Sequence, residues 1–141
     1  MLKLIFLITM VMAAPAQSGT LKVELKGVKA KQKGQVLCAV FRNENGFPMH
    51  PESSLEIQQA VPSGEKIFEC SFYNLRAGVY AVSVLHDQDG DGKMSTNKFG
   101  MPQEGWATSN NVEPTTRPPN FKESSVKLSD QDLALSLKMH Y

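Results

Sequence analysis

Short runs in which apolar and polar residues alternate most constrain what this chain can fold into. In residues 20–26, Leu21, Val23 and Leu25 fall on one face and mainly charged residues fall on the other. A period of two is that of a β-strand with one face in a core and one face in water. The same alternation returns in residues 65–72. The pattern therefore predicts half-buried strands that need a second layer to cover them.

Other segments extend this pattern. Residues 35–42 are apolar on both faces, and residues 79–86 are rich in valine and other strand-forming residues, as is typical of central strands. Residues 125–128 and 133–139 predict two closing strands. Residues 53–60 fit neither the helical nor the strand period, and we expect a short helix or a loop there.

The segment from residue 87 to residue 123 has no apolar period and is dense in glycine, proline and asparagine. Loops longer than about 15 residues in compact domains are usually functional or disordered, so this one needs something to order it. Short strands, frequent turns and the lack of a long amphipathic helix predict an all-β fold. We expect an antiparallel β-sandwich, immunoglobulin-like or transthyretin-like, with one long irregular loop.

The N-terminus has the features of a secretory signal peptide. Lys3 precedes an apolar stretch, and Ala14 and Ala16 supply small residues for cleavage, so residues 1–16 are predicted to be removed. The remaining residues 17–141 suffice for one β-sandwich domain and are too few for two. The apolar stretch is shorter than the roughly 20 residues that span a bilayer, which disfavours the alternative of an N-terminal membrane anchor. We therefore expect an exported protein, periplasmic or extracellular, without a membrane span.

Cys38 and Cys70 are the only cysteines in the sequence. In an exported chain both would meet an oxidising compartment, where an even pair tends to close, so we predict a disulfide between them. The alternative is two separate buried thiols, since cysteine also packs as a small apolar residue.

The formal net charge is only +1, which gives no support to nucleic acid or an anionic membrane as a partner.

Residues 87–95 read Asp-Gln-Asp-Gly-Asp-Gly-Lys-Met-Ser and match the first nine positions of a calcium-binding loop. Carboxylates at alternate positions can converge on one hard cation, and Gly92 permits the sharp turn between them. A glutamate should follow at the twelfth position, where this chain has Lys98, and a strand instead of a helix leads into the loop. We therefore predict a structural Ca²⁺ site and not a helix-loop-helix sensor. Its expected ligands are Asp87, Asp89, Asp91, the Lys93 carbonyl, Ser95 through a water, and Glu104.

The competing interpretation is a solvated acidic turn that binds nothing, since aspartate and glycine are ordinary turn residues. Three aspartates within five positions repel one another, however, and a cation is the simplest remedy. A bound ion would also explain how the long irregular segment becomes ordered.

Four short motifs follow one another in the second half of the chain. They are Ala-Gly-Val-Tyr-Ala-Val at residues 77–82, His-Asp through Gly-Lys at 86–93, Gly-Met-Pro-Gln-Glu-Gly-Trp at 100–106 and Ser-Asn-Asn at 109–111. In this order they resemble the exported bacterial family catalogued as domain of unknown function 2141. The resemblance implies a secreted or periplasmic β-sandwich without an assigned activity. That family usually has asparagines where Asp89 and Asp91 stand here, which implies a more acidic loop in this member.

Catalytic motifs of common enzymes do not occur in the sequence, whether Gly-x-Ser-x-Gly, His-Glu-x-x-His or a phosphate-binding glycine loop. His86 stands beside Asp87, and with Glu104 as an acid this set forms the alternative hypothesis of a small hydrolase. A histidine at the end of a strand is more often a structural hydrogen-bonding residue. The preferred interpretation is a non-catalytic binding or envelope-associated module.

A second binding prediction concerns the irregular segment. Trp106, the only tryptophan, stands near Asn110 and Asn111, a combination that suits stacking on a sugar ring and hydrogen-bonding its hydroxyls. The expected partner is then a glycan or an envelope protein. The preferred alternative is that Trp106 anchors the long loop on the sandwich, because such a loop needs an apolar contact.

Overall fold

The computed structural model of the chain describes residues 10–141, and the start of the predicted signal peptide, residues 1–9, lies outside the described residues. Residues 10–17 have no regular secondary structure, and they are exposed. In the described part of the chain, no helix is both long and apolar enough to cross a membrane.

Two β-sheets account for most of the regular structure in residues 10–141. In chain order the strands are β1 (Ser18–Lys26), β2 (Gln35–Phe41), β3 (Glu56–Gln59), β4 (Val61–Gly64), β5 (Ile67–Arg76), β6 (Gly78–Asp87), β7 (Gly105–Thr108), β8 (Val126–Leu128) and β9 (Leu133–Lys138). One α-helical turn, α1 (Phe121–Ser124), precedes β8. Two 3-10 turns lie at Pro51–Ser53 and Ser109–Asn111.

The sheets pack face to face as a sandwich. One sheet has the strand order β4-β5-β1-β9, and the other has the order β3-β2-β6-β7, with β8 paired to the start of β6. Paired strands are antiparallel except β1 and β9, which run parallel. Side chains of both sheets form one shared hydrophobic core. The predicted all-β sandwich is confirmed, with one parallel pair inside it.

The register of β1 and β5 follows the alternation in the sequence. Leu21 and Val23 of β1 lie opposite Phe72 and Cys70 of β5, and all four side chains are buried. Glu69, which precedes Cys70, is exposed. Because adjacent residues of a strand point to opposite faces, the apolar set lies in the core and the polar set in water, as predicted.

Cys38 and Cys70 form the predicted disulfide, with their Cα atoms 6.6 Å apart. Cys38 belongs to β2 of the five-stranded sheet and Cys70 to β5 of the four-stranded sheet, so the bond joins the two layers through the core. Both residues are buried. This bond is typical of proteins that reside in an oxidising, extracytoplasmic compartment.

β3 and β4 lie where no strand was predicted. Residues 53–60, expected as a short helix or a loop, contain β3, which pairs antiparallel with β2. The expectation was wrong because β3 buries no side chain fully and is held by its backbone pairing to β2. β4 is exposed along its whole length and pairs with β5 in the same way.

β6 is buried on both faces over residues 80–87. Val82 and Val84 belong to the core between the sheets. On the opposite face, Ser83 and Leu85 are also buried, and parts of the long irregular segment stand over them. The segment that begins after β6 therefore folds back over the outer face of its own sheet.

The C-terminal residues extend the five-stranded sheet beyond β7. The backbones of Trp106 and His140 exchange two hydrogen bonds, of 2.9 and 2.8 Å. Gly105 lies against the Tyr141 ring, and a Cβ built on this glycine would be only 2.7 Å from Tyr141 Cζ. The missing side chain leaves room for the Tyr141 hydroxyl to accept a hydrogen bond of 2.9 Å from the Lys29 N–H.

Gly105→Ala is expected to lower the free energy of unfolding by about 1–3 kcal/mol, because the added methyl group must displace the Tyr141 ring. Gly64→Ala is the matched control, since a Cβ at that position has no neighbour closer than 3.7 Å. Urea unfolding of the two variants measures the difference. Equal losses of stability would show that the ring contact is not the cause.

Candidate functional site

The acidic loop begins at Asp87, the last residue of β6, and winds around this side chain. Asp87 Oδ1 accepts a hydrogen bond from the Gly90 N–H and Oδ2 accepts one from the Gly92 N–H, both of 2.9 Å. Gly90 and Gly92 have φ angles of +77° and +74°, in the left-handed region that favours glycine. The turn assigned to Gly92 from the sequence is therefore present, and the Asp87 carboxylate is buried at its centre.

Asp89 and Asp91 are exposed on the same loop. Asp89 Oδ1 accepts a hydrogen bond of 3.2 Å from the Asp91 N–H, and Asp91 Oδ1 accepts one of 2.8 Å from the Lys93 N–H. The Ser95 hydroxyl donates to Asp89 Oδ2 at 2.9 Å. The Ser95 hydroxyl and the Asp91 N–H hold the pKa of Asp89 below its ordinary value, so this carboxylate is ionised at neutral pH.

The three aspartates converge. One carboxylate oxygen of each lies within 4.8 Å of the others. Two oxygens that bind one Ca²⁺ at about 2.3–2.6 Å are at most about 5 Å apart, so the observed spacing is within reach of a shared cation. None of the ion pairs among residues 10–141 involves these aspartates. The cluster could therefore hold a metal ion.

Glu104, just before β7, binds the backbone of the acidic loop at both ends. Its Oε1 accepts hydrogen bonds from the N–H groups of Gln88 and Asp89 at 2.8 and 3.4 Å, and its Oε2 accepts one from the Ser95 N–H at 3.0 Å. Glu104 is only 6% exposed. The sequence predicts it as the missing calcium ligand, but it is not among the carboxylates that converge. In the structure it tethers the loop.

Two further predicted ligands, Lys93 and Ser95, lie within the loop. The Ser95 hydroxyl adjoins the cluster, since it donates a hydrogen bond to the Asp89 carboxylate. The backbone N–H of Lys93 is engaged by Asp91. Ligation of a cation by the Lys93 carbonyl or by Ser95 stays a prediction.

The residues of the alternative hydrolase hypothesis are arranged differently from a catalytic set. His86 and Asp87 are consecutive in β6, so their side chains point to opposite faces of the sheet. His86 is 2% exposed, and its Nδ1 is hydrogen-bonded to the Tyr141 hydroxyl at 2.8 Å. Burial raises the pKa of Tyr141, so its hydroxyl is neutral at ordinary pH. Glu104 is engaged by backbone amides, and among the described residues His86, Asp87 and Glu104 do not form a group of converging ligand atoms as the three aspartates do.

Trp106 lies on β7 and not in an irregular loop, and its indole packs against the His140 ring with centroids 4.7 Å apart. Asn110 and Asn111 have positive φ angles, and the amide of each binds main-chain atoms of other segments. The two amides expected to bind sugar hydroxyls are thus already used within the fold. A sugar-stacking role of Trp106 stays a prediction.

The protein is therefore a small β-sandwich whose two sheets are joined by a disulfide. A partly exposed cluster of three aspartates begins at the end of β6. The model of a family described as uncharacterized protein conserved in bacteria (DUF2141) matches residues 23–136. The chain belongs to this family, which confirms the resemblance seen in the sequence motifs. No curated protein matches the chain, and no solved structure matches it.

Proposed function

We propose that the protein is an exported, non-catalytic binding module whose acidic loop holds one structural Ca²⁺ ion. The observation that carries this proposal is the convergence of Asp87, Asp89 and Asp91. Hard cations such as Ca²⁺ prefer oxygen ligands. Within the described residues, no thiolate or imidazole joins the cluster. That donor set favours calcium over zinc or copper.

A bound cation would offset the repulsion among the three carboxylates and fix the path of the chain after β6. Beyond the loop, the chain folds back on itself: the Gln103 N–H donates to the Ser95 carbonyl at 2.8 Å, and Thr96 pairs with Pro102. The ion would thus hold the start of this returning segment against the sheet. Since strands and not paired helices flank the loop, the proposed role is structural and not that of a calcium sensor.

Export is supported by the inter-sheet disulfide and by the signal-like sequence of residues 1–16. Calcium is plentiful outside the cytoplasm, so a weak site suffices there. Lys98 stands where calcium loops carry a bidentate glutamate. The loss of that ligand supports a weak affinity for calcium.

Calorimetric titration of the purified protein with calcium tests the proposal. We expect one ion per chain with a Kd on the order of 10⁻⁴–10⁻³ M, the range of extracellular calcium modules. At a calcium concentration about ten times the Kd, binding stabilises the folded chain by about 1.4 kcal/mol, which a higher melting temperature than in chelator would show.

The control compares two doubly substituted variants. Asp89→Asn with Asp91→Asn removes two negative charges and keeps the side-chain shapes, so the heat of binding should disappear. Glu65→Gln with Asp130→Asn removes two exposed carboxylates elsewhere and should bind calcium like the parent. Equal binding by the two variants, or equal melting temperatures in calcium and in chelator, would leave the loop an ordinary acidic turn.

A further inference from the structure

The outer face of the five-stranded sheet carries a mainly apolar floor. Its residues form two cross-strand rows over β2, β6 and β7: Leu37, Leu85 and Trp106, then Ala39, Ser83 and Thr108. Directly opposed residues of paired strands lie on the same face, so all of them point away from the sandwich core. An apolar sheet face of this kind needs a cover in water.

Loop segments stand over this floor and enclose, with it, a cavity of about 300 Å³, called here the outer-face cavity. Met49, Met94 and Met101 line it, together with prolines of residues 114–119. Methionine side chains adapt to the shape of an apolar guest, whereas proline gives a stiff wall. The volume is at the lower end of the roughly 300–1,000 Å³ that is usual for small-molecule sites.

The charged side chains that line the outer-face cavity already have partners. Arg117 makes two hydrogen bonds to the Glu123 carboxylate, of 2.9 and 2.6 Å. Both oxygens of Glu104 accept hydrogen bonds from backbone amides. A charged guest would give up its hydration without gaining an opposite charge, so the lining favours an uncharged one.

One polar group of the floor has no partner. Thr108 is 2% exposed, and its Oγ1 makes no hydrogen bond within the described residues. Its cross-strand partner is Ser83, and both residues line the cavity. Buried hydroxyls are nearly always hydrogen-bonded, because leaving one without a partner is unfavourable. A guest with one hydroxyl, carbonyl or amine group would satisfy Thr108.

We infer that the outer-face cavity binds a small, uncharged, mainly apolar molecule with one hydrogen-bonding group, which meets Thr108. The apolar part of the molecule would lie over Leu85 and Trp106, beneath the methionines. This inference rests on the proposed binding role and names the ligand class. It uses none of the three aspartates, so it can fail while the calcium proposal stands.

N-phenyl-1-naphthylamine is an uncharged aromatic amine whose fluorescence rises in apolar surroundings, and it serves as the probe. We expect saturable binding of one probe per chain, with quenching of Trp106, the only tryptophan. The anionic relative 8-anilinonaphthalene-1-sulfonate has the same rings and should bind at least about tenfold more weakly, because its charge must be desolvated. Titrations in calcium and in chelator separate this site from the acidic loop.

Two variants locate the probe. Ala39→Phe fills the floor and should abolish binding, whereas Ala134→Phe, at an exposed position of β9, should bind like the parent. Thr108→Val keeps the shape, removes the hydroxyl and should weaken binding by about 3- to 10-fold. Circular dichroism verifies that each variant is folded.

Three results would overturn the inference: no saturable binding, tighter binding of the sulfonate, or unchanged binding by a folded Ala39→Phe variant. If Ala39→Phe does not fold, Thr108→Val decides, and an affinity equal to that of the parent overturns the inference.

Discussion

Removal of the Cys38–Cys70 disulfide is expected to lower the free energy of unfolding by about 3–4 kcal/mol. The two cysteines are 32 residues apart in sequence, and a bridge over such a loop restricts the unfolded chain. Because the bond also joins the two sheets, its loss removes a covalent link between the layers. For a domain of this size the melting temperature should fall by roughly 10–15 °C.

Guanidinium unfolding of the oxidised protein, the reduced protein and the Cys38→Ala, Cys70→Ala variant measures this effect. The reduced protein and the double variant should unfold at similar denaturant concentrations. Both should show a steeper dependence on denaturant than the oxidised protein, because their unfolded chains are less compact. A thiol assay verifies that both cysteines are reduced. If the midpoint of unfolding is then unchanged, the core alone sets the stability.

Strands that pack one face on the core were predictable from the sequence. In β1 the alternation of Leu21, Val23 and Leu25 with charged residues reports directly on burial, because the side-chain period of a strand equals the period of the pattern. The doubly apolar run of β2 likewise reports on a strand whose two faces are both covered.

Three short strands were not predictable in this way. β3, β4 and β7 each have only four residues, and β3 and β4 bury no side chain fully. Trp106 and Thr108 of β7 stand among glycines, prolines and asparagines, where a run of four residues carries no clear period. The parallel pairing of β1 with β9 joins Leu21 to Leu133, a contact that no local pattern reports.

The order of the long segment has more causes than the sequence suggested. A calcium ion was the expected cause, yet several side chains bind the backbone of the segment directly. Asn97 accepts hydrogen bonds from the N–H groups of Phe99 and Met101. Asn120 and Glu123 form a capping box at the start of α1, and Arg117 holds the pKa of Glu123 at about 2. The spacing of Asn120 and Glu123 is a sequence signal of a helix start that was missed, whereas the Asn97 contacts depend on the folded backbone and have no such signal.

Replacement of Glu104 with alanine is expected to lower the free energy of unfolding by about 2–4 kcal/mol and to loosen the acidic loop. Three backbone N–H groups would lose their acceptor, and each buried donor left without a partner costs about 1–3 kcal/mol, less where water can reach it. Hydrogen exchange at the amides of Gln88 and Ser95 should become faster, while the amides of β1 should be unaffected, because the opening is local.

Calcium binding by Glu104→Gln then separates a positioning role from direct ligation. Glutamine keeps one acceptor oxygen at the same reach, so a positioning role predicts a modest rise in Kd, whereas Glu104→Ala should raise it by about 10- to 100-fold, as loss of a supporting contact does. Direct ligation predicts that both variants lose binding as fully as Asp89→Asn with Asp91→Asn. The structure favours positioning, because both oxygens of Glu104 already face backbone amides. Equal loss of binding in the glutamine and alanine variants would contradict it.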